Sequence, residues 1–159
     1  NIDSTARIVA PCIIDEGSEI RVNAYIRGNV IVGKGCVVGN SSEIKNSVLF
    51  DGAKIPHFNY IGDSILGYKS HFGAGSITSN VKSDESLIKV TIGGNKYDTN
   101  MKKVGAIVGD NVEIGCNAVL TPGTIIGMNT TIYPLTMVRG EIGDNKIVKS
   151  MNEIVDKRM

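Results

Sequence analysis

The chain has no tryptophan, three phenylalanines, two histidines and three cysteines among its 159 residues. An odd cysteine count without a CxxC pair argues against a disulfide framework or a zinc ribbon. A reducing cytoplasm is the expected setting. Two histidines cannot build a three-histidine zinc site, and HExxH, P-loop and GxSxG motifs are all missing. Seventeen Lys and Arg face sixteen Asp and Glu, a net charge of +1, so no long-range field draws the chain to nucleic acid or an anionic membrane. The basic residues are not interleaved with aromatics as a nucleic-acid surface requires. No apolar run reaches the length of a membrane span and no signal peptide is visible. The chain opens at Asn1 rather than Met, already in phase with the pattern below, which implies residues upstream. Its length suits one domain with a real core.

Glycine, by contrast, is abundant at 19, which disfavours a helical bundle. An apolar residue recurs every sixth position: Ile2, Ile8, Ile14, Ile20, Ile26, Val32, Val38, Ile44 and Phe50. A period of six fits strand alternation and not a 3.6-residue helix. Fixed short periods of this kind indicate a β-solenoid, each hexad a strand plus a corner. The position four after each ladder residue takes small side chains, among them Ala6, Cys12, Ser18, Ala24 and Cys36. Cys12 and Cys36 therefore read as structural. The ladder returns at Val108, Ile114, Leu120, Ile126, Ile132 and Val138.

Between these runs the rhythm breaks. Position 56 is proline; the ladder resumes one place early at Ile55 and Ile61, then slips to Leu66 and Phe72. His57 lies at this dislocation, and a broken repeat is where a repeat protein places something other than stability. Arg27 and Lys45 are 18 residues apart, three hexads, and would stack on one face about 5 Å apart in a solenoid of three hexads per coil, the arrangement implied by the family resemblance given below. Two readings of that pair stand: a solvated basic face, or cations bridged by an anion. Gly73-Ala74-Gly75 likewise reads either as tight corners or as close approach of a ligand to the backbone. Residues 81–104 abandon the repeat. Leu87–Ile92 reads as a strand, Gly93–Lys96 as a turn and Tyr97–Lys103 as its return, making a β-hairpin arm that reaches a neighbour or a ligand, or simply decorates the coil. The tail, 143–159, offers a helix stripe at Ile147, Met151 and Ile154, or a hairpin, which its symmetry favours.

With so few reactive side chains, His57 is the candidate base. Imidazole is matched to taking a proton from an amine at neutral pH. A glycine-rich corner offers a backbone N–H to an oxyanion, and Arg or Lys holds a phosphate.

The hexads resemble the left-handed parallel β-helix of the hexapeptide-repeat acyltransferases. Pro56-His57-Phe58-Asn59-Tyr60-Ile61-Gly62-Asp63, Phe72-Gly73-Ala74-Gly75-Ser76 and Asn80 are similar to two groups. One is the acetyltransferase domain of bifunctional N-acetylglucosamine-1-phosphate uridylyltransferase/glucosamine-1-phosphate acetyltransferases. The other is the C-terminal domain of archaeal-type sugar-1-phosphate nucleotidylyltransferases, which the hairpin and Ile132-Tyr133-Pro134 resemble more. The resemblance implies an all-β fold with three hexads per coil, about six coils in all, and a projecting hairpin arm. A β-helix over 1–142 would carry the arm at 81–104. It implies acetyl-coenzyme A as co-substrate, an amino-sugar 1-phosphate as acceptor, no metal, and a homotrimer. By position it implies His57 as general base and an Ala74 amide at the acetyl carbonyl. Arg27 and Lys45 would bind the phosphate, Tyr60 and Asn80 the sugar, and Cys116 and Pro134 the coenzyme. His71 and Val81 stand where the uridylyltransferase type has Asn and Tyr. A non-catalytic, oligomerising module of a sugar nucleotidyltransferase is the alternative.

Overall fold

The computed structural model describes residues 1–157. Each hexad forms one short strand and one corner, and three strands close a coil. Successive coils stack in parallel register to give three flat faces of seven parallel strands each. The first face begins at Arg7–Ile8, the second at Cys12–Ile14 and the third at Glu19–Ile20. Seven strands per face is one coil more than the six expected, because the stretch after the arm continues past Val138 through Glu141–Ile142 and Lys146–Ser150.

Ladder residues fill the interior. Ile20, Ile26, Val32, Val38, Ile44, Leu49, Ile55, Ile61, Leu66 and Phe72 are all buried. Removing such a side chain, for example Leu49→Ala, costs about 2–5 kcal/mol. Ile2, bridged to Ile20, is half exposed and is not part of this buried ladder. Phe50 also departs from the expectation. It points outward at 53 % exposure and Leu49 takes its place inside. The corner between the first and second faces is one residue shorter at Lys45-Asn46-Ser47 than at Arg27-Gly28-Asn29-Val30, so Val30 pairs with Ser47 and Val32 with Leu49. The step repeats at Gly62-Asp63-Ser64, where Ile65 pairs with Val48. The dislocation thus lies on either side of His57, at the first-to-second corner. Pro56-His57 belongs to a regular strand, Lys54–His57, paired with Val37–Asn40.

Corners explain the residues that occupy them. The tight turns need a positive φ, and Asn, Asp or Gly adopts it most readily. On six successive coils the third-to-first corner places Asn23, Ser41, Phe58, Gly75, Asn117 and Leu135 there. Stacking is close enough at Gly39 that a Cβ would lie 1.6 Å from the Pro56 carbonyl oxygen.

The arm leaves the first-to-second corner of the fifth coil. Its strands, Lys89–Ile92 and Asn95–Asp98, are antiparallel around a two-residue Gly93-Gly94 turn. The return strand starts at Asn95, two places before the expected Tyr97, since two glycines of positive φ suffice to reverse the chain. Ile88 is fully buried at the arm's root, and Gly93 N–H donates to Glu141. The tail forms a hairpin: Lys146–Ser150 extends the third face and Glu153–Asp156 returns antiparallel to it. Arg158 and Met159, the last residues of that expected tail, lie outside the described residues. No helix among the described residues is long and apolar enough to cross a membrane.

Candidate functional site

The residues singled out from sequence fall on the two edges of the first face. Strands such as Tyr60–Gly62 span the roughly 10 Å between those edges.

One edge is the third-to-first corner. It stacks His57, Ala74, Cys116 and Pro134 on four consecutive coils. Their backbones are tied in a column: Gly75 N–H donates to the His57 carbonyl at 3.0 Å, Asn117 N–H to Ala74 at 2.9 Å and Leu135 N–H to Cys116 at 2.9 Å. In sequence these residues are 17, 42 and 18 apart, so only the excision of the arm aligns them. The His57 side chain is exposed. The Ala74 N–H points from the turn and donates to no acceptor among the described residues. Cys116 is exposed, whereas Cys36 is buried and its thiol contacts the Phe50 carbonyl.

Asn59 fixes this corner, and it was missed. It is 2 % exposed. Its Oδ1 accepts from His57 N–H at 3.0 Å; its Nδ2 donates to the Gly73 carbonyl at 2.8 Å and the Ser76 hydroxyl at 3.0 Å. It thereby joins the histidine's coil to the glycine-rich coil above. It also holds Phe58 at φ 53, a conformation costing an aromatic residue about 1 kcal/mol or more. The available signal was that Asn59 occupies a slot that otherwise takes Ala24, Ser42, Ser76 and Ala118.

The other edge is the first-to-second corner. Here side chains rather than backbone do the work. The Lys45 ammonium lies 3.1 Å from Asp63, whose carboxylate also accepts from Asn46 Nδ2 at 2.6 Å and from Asn80 Nδ2. Asn80 reaches the Tyr60 hydroxyl at 3.3 Å, so Tyr60, Asn80, Asp63 and Lys45 form one cluster. Burial pushes the Asp63 carboxyl up, but hydrogen bonds from Asn46, Asn80 and Lys45 outweigh it and hold the group below its ordinary range. Gly62 is required beneath the cluster: a Cβ there would sit 2.7 Å from the Tyr60 hydroxyl.

Arg27 stacks beside Lys45, as the 18-residue spacing implies, through the pairing of Ile26 with Ile44. The two cations do not confront one another unpaired, because Arg27 lies 2.7 Å from Glu43. Its hydrogen bond to Glu43 raises the Arg27 pKa against partial desolvation. Glu43 and Asp63 were both missed as partners. Asp63 was findable, standing 18 residues after Lys45 in the same stack. His71 stands apart on the third face, with Nδ1 2.8 Å from Glu113. Among the described residues no group of three His, Cys, Asp or Glu could hold a metal.

On the far side of Asp63 the second face carries an apolar groove of about 550 Å³, lined by Ile13, Ile31, Val48, Ile65 and Ile107. These residues form one outward column down the face.

Comparison with known proteins gives a consistent picture. Residues 8–104 match the family model described as the GMPPB C-terminal domain, and residues 105–140 match the bacterial transferase hexapeptide repeat. A bifunctional sugar-1-phosphate nucleotidylyltransferase/acetyltransferase of Sulfurisphaera tokodaii is 34 % identical over 94 % of the chain and 42 % of its own length. The bifunctional protein GlmU of Methanococcus maripaludis is 42 % identical over 83 % of the chain and 32 % of its own length. The chain thus spans less than half of either curated relative. Among solved structures, PerB from Caulobacter crescentus, in complex with CoA and GDP-perosamine, superposes with a TM-score of 0.63 at 18 % identity, covering 99 % of this chain and 56 % of PerB. The acetyltransferase domain of PglB from Neisseria gonorrhoeae, in complex with acetyl coenzyme A, gives 0.59 at 16 % identity, covering 98 % and 56 %. At these identities the two structures speak to the fold, a hexapeptide-repeat parallel β-helix.

Proposed function

The chain belongs to the GMPPB C-terminal domain family, and from that premise we propose that it transfers an acetyl group from acetyl-coenzyme A to the amine of an amino-sugar 1-phosphate. The observation that carries the reading is the pair of edges flanking Tyr60. One is a column of His57, Ala74, Cys116 and Pro134; the other is a cluster of charged and amide side chains.

In this reading the sugar lies across the first face, its 1-phosphate toward Arg27 and Lys45 and its hydroxyls toward Tyr60 and Asn80. His57 accepts a proton from the amine as the nitrogen attacks the thioester carbonyl. The Ala74 N–H, free of other partners, stabilises the oxyanion. As the tetrahedral species collapses, the new C–N bond remains, the C–S bond breaks, and the imidazolium returns its proton to the leaving thiolate. Cys116 and Pro134, on the next two coils of the same edge, hold the coenzyme. No metal is needed for these steps. The curated relatives' printed names, covering acetyl transfer and sugar 1-phosphates, support the substrate class.

A cytoplasmic homotrimer completes the reading. The outward column from Ile13 to Ile107 offers a second copy an apolar strip, and Asn46 and Asp63 bring the polar cluster to the strip's margin. Sedimentation velocity of the purified chain checks it, the expected species having three times the 16.9 kDa mass.

The decisive assay follows thiol release from acetyl-coenzyme A with glucosamine 1-phosphate and other amino-sugar phosphates. Wild type is expected to turn over and His57→Ala to be severely impaired. Equal, slow release by both on every acceptor returns the alternative, a non-catalytic oligomerising module.

A further inference from the structure

Arg27 and Lys45 differ in how they are held. Glu43 gives Arg27 one exposed contact, with side chains 43 % and 35 % exposed. Asp63 is 7 % exposed and Lys45 18 %. The Asp63 carboxylate gathers three donors from two places: Lys45 and Asn46 from the coil below, and Asn80 from the root of the arm. Its backbone is fixed as well. Its N–H donates to the Lys45 carbonyl at 3.1 Å, its carbonyl accepts from Gly105 N–H at 2.8 Å, and its φ is 50.

We propose that Asp63 is the positioning residue of this edge, holding the Lys45 ammonium and the Asn80 amide as one preorganised unit that meets the acceptor's phosphate and sugar. The inference rests on the acetyl-transfer reading above and names how that site recognises its acceptor. Asp63 touches neither substrate nor reacting atoms; it acts through the two side chains it orients. A lysine has three ammonium donors and a long rotamer-rich chain. One anchored to a buried carboxylate keeps its other donors for a phosphate and has less freedom to lose on binding. Asp63 does not present a bare anion to that phosphate, because two amides and an ammonium already engage its oxygens. Arg27, with its exposed partner, is the cation free to exchange a carboxylate for a phosphate.

Asp63→Asn isolates the charge, since asparagine keeps the size and tolerates a positive φ. Two readouts test the proposal. In the ligand-free chain, trace acetylation with an amine-reactive reagent is followed by peptide mapping. Lys45 is expected to label about tenfold faster in Asp63→Asn, with the exposed Lys34 and Lys54 unchanged. In the His57→Ala background, which removes turnover, calorimetry with glucosamine 1-phosphate is expected to show about tenfold weaker binding when Asp63→Asn is added. Asn46→Gly is the control, because it removes a donor from the same carboxylate, keeps the positive φ of 48 at this turn and leaves Lys45 and Asn80 in place. It should lower the melting temperature comparably while leaving both readouts within about twofold. Unchanged Lys45 labelling, tighter sugar-phosphate binding, or equal effects of Asn46→Gly would each overturn the assignment. Absence of any binding to the His57→Ala chain counts against the acetyl-transfer reading, and the labelling result then decides the role of Asp63.

Discussion

The two edges of the first face are built by opposite means. Along the third-to-first corner, chemistry is offered by the backbone: turn amides, glycines and one exposed imidazole, with a buried asparagine as the fixing pin. Along the first-to-second corner, chemistry is offered by side chains locked to one another through a carboxylate. The difference follows from what each edge tolerates. The third-to-first corner keeps its length on coil after coil, so its amides repeat in register and line up into a column. The first-to-second corner loses a residue twice, gains a 24-residue arm and loses two residues after Val138, so its backbone cannot repeat and specificity has to come from side chains. A solenoid can thus offer a repeating surface to a long, chemically monotonous ligand and an irregular one to a compact ligand, within a single coil's width.

That contrast breaks first at His57. His57→Ala is expected to reduce turnover by about 10²–10⁴-fold while barely moving the melting temperature, as the side chain is exposed. Circular-dichroism melts beside the thiol-release assay check both halves. Next in size is Gly39→Ala, which sets a methyl against the Pro56 carbonyl and should destabilise by about 1–3 kcal/mol or prevent folding altogether. Urea titration measures it, and a neutral result would mean that the backbone edge is not as closely stacked as described. Asn59→Ala should cost about 1–3 kcal/mol, since it strands the His57 N–H and removes the amide's bonds to Gly73 and Ser76, although the Gly73 carbonyl keeps the Ser76 donors. It should also lower turnover with little effect on the acceptor KM, because the side-chain edge is left intact.

The other edge responds to pH. The Asp63 carboxyl is held below its unfolded value, so its contribution to stability is present above the unfolded pKa of about 3.9 and disappears as pH falls through the lower folded value. The gap in melting temperature between wild type and Asp63→Asn should therefore be constant near neutrality and close only in strong acid. A gap that shrinks between pH 7 and 5 would point to another group. The smallest effect belongs to Glu43→Gln. The melting temperature should stay unchanged, since an exposed pair contributes little, while Arg27 is released toward anions. A clear loss of stability would mean that Glu43 anchors Arg27 as firmly as Asp63 anchors Lys45.

Much of the architecture is written in the six-residue ladder from Ile8 to Ile44 and from Val108 to Val138, because burial at every coil demands an apolar residue in the same phase. Where the phase shifts, the text becomes ambiguous. Leu49 and Phe50 are both apolar, and only a corner shortened by one residue decides which faces inward. The arm's turn could be read from its glycines but not its length, since Asn95 and Lys96 suit a strand edge as well as a loop. The candidate base and the basic pair were visible by residue type and spacing. Their companions were harder to see. Asn59 acts through hydrogen bonds to a coil 14 to 17 residues away, and Glu43 through a side-chain rotamer that no spacing encodes.

The arm's point of departure has a consequence for how such chains diversify. Asn80 and Val104, its two ends, are joined by a backbone hydrogen bond of 3.1 Å, and the strand pairing runs from Ile65 straight to Ile107 as though nothing intervened. An insertion that begins and ends at one hydrogen bond leaves the stack's register untouched, and the entropic cost of lengthening it grows only logarithmically. The corner is a splice site in the physical sense: segments of very different length can be exchanged there, each bringing new side chains beside Asn80, while the prism that holds the rest of the cluster is inherited unchanged.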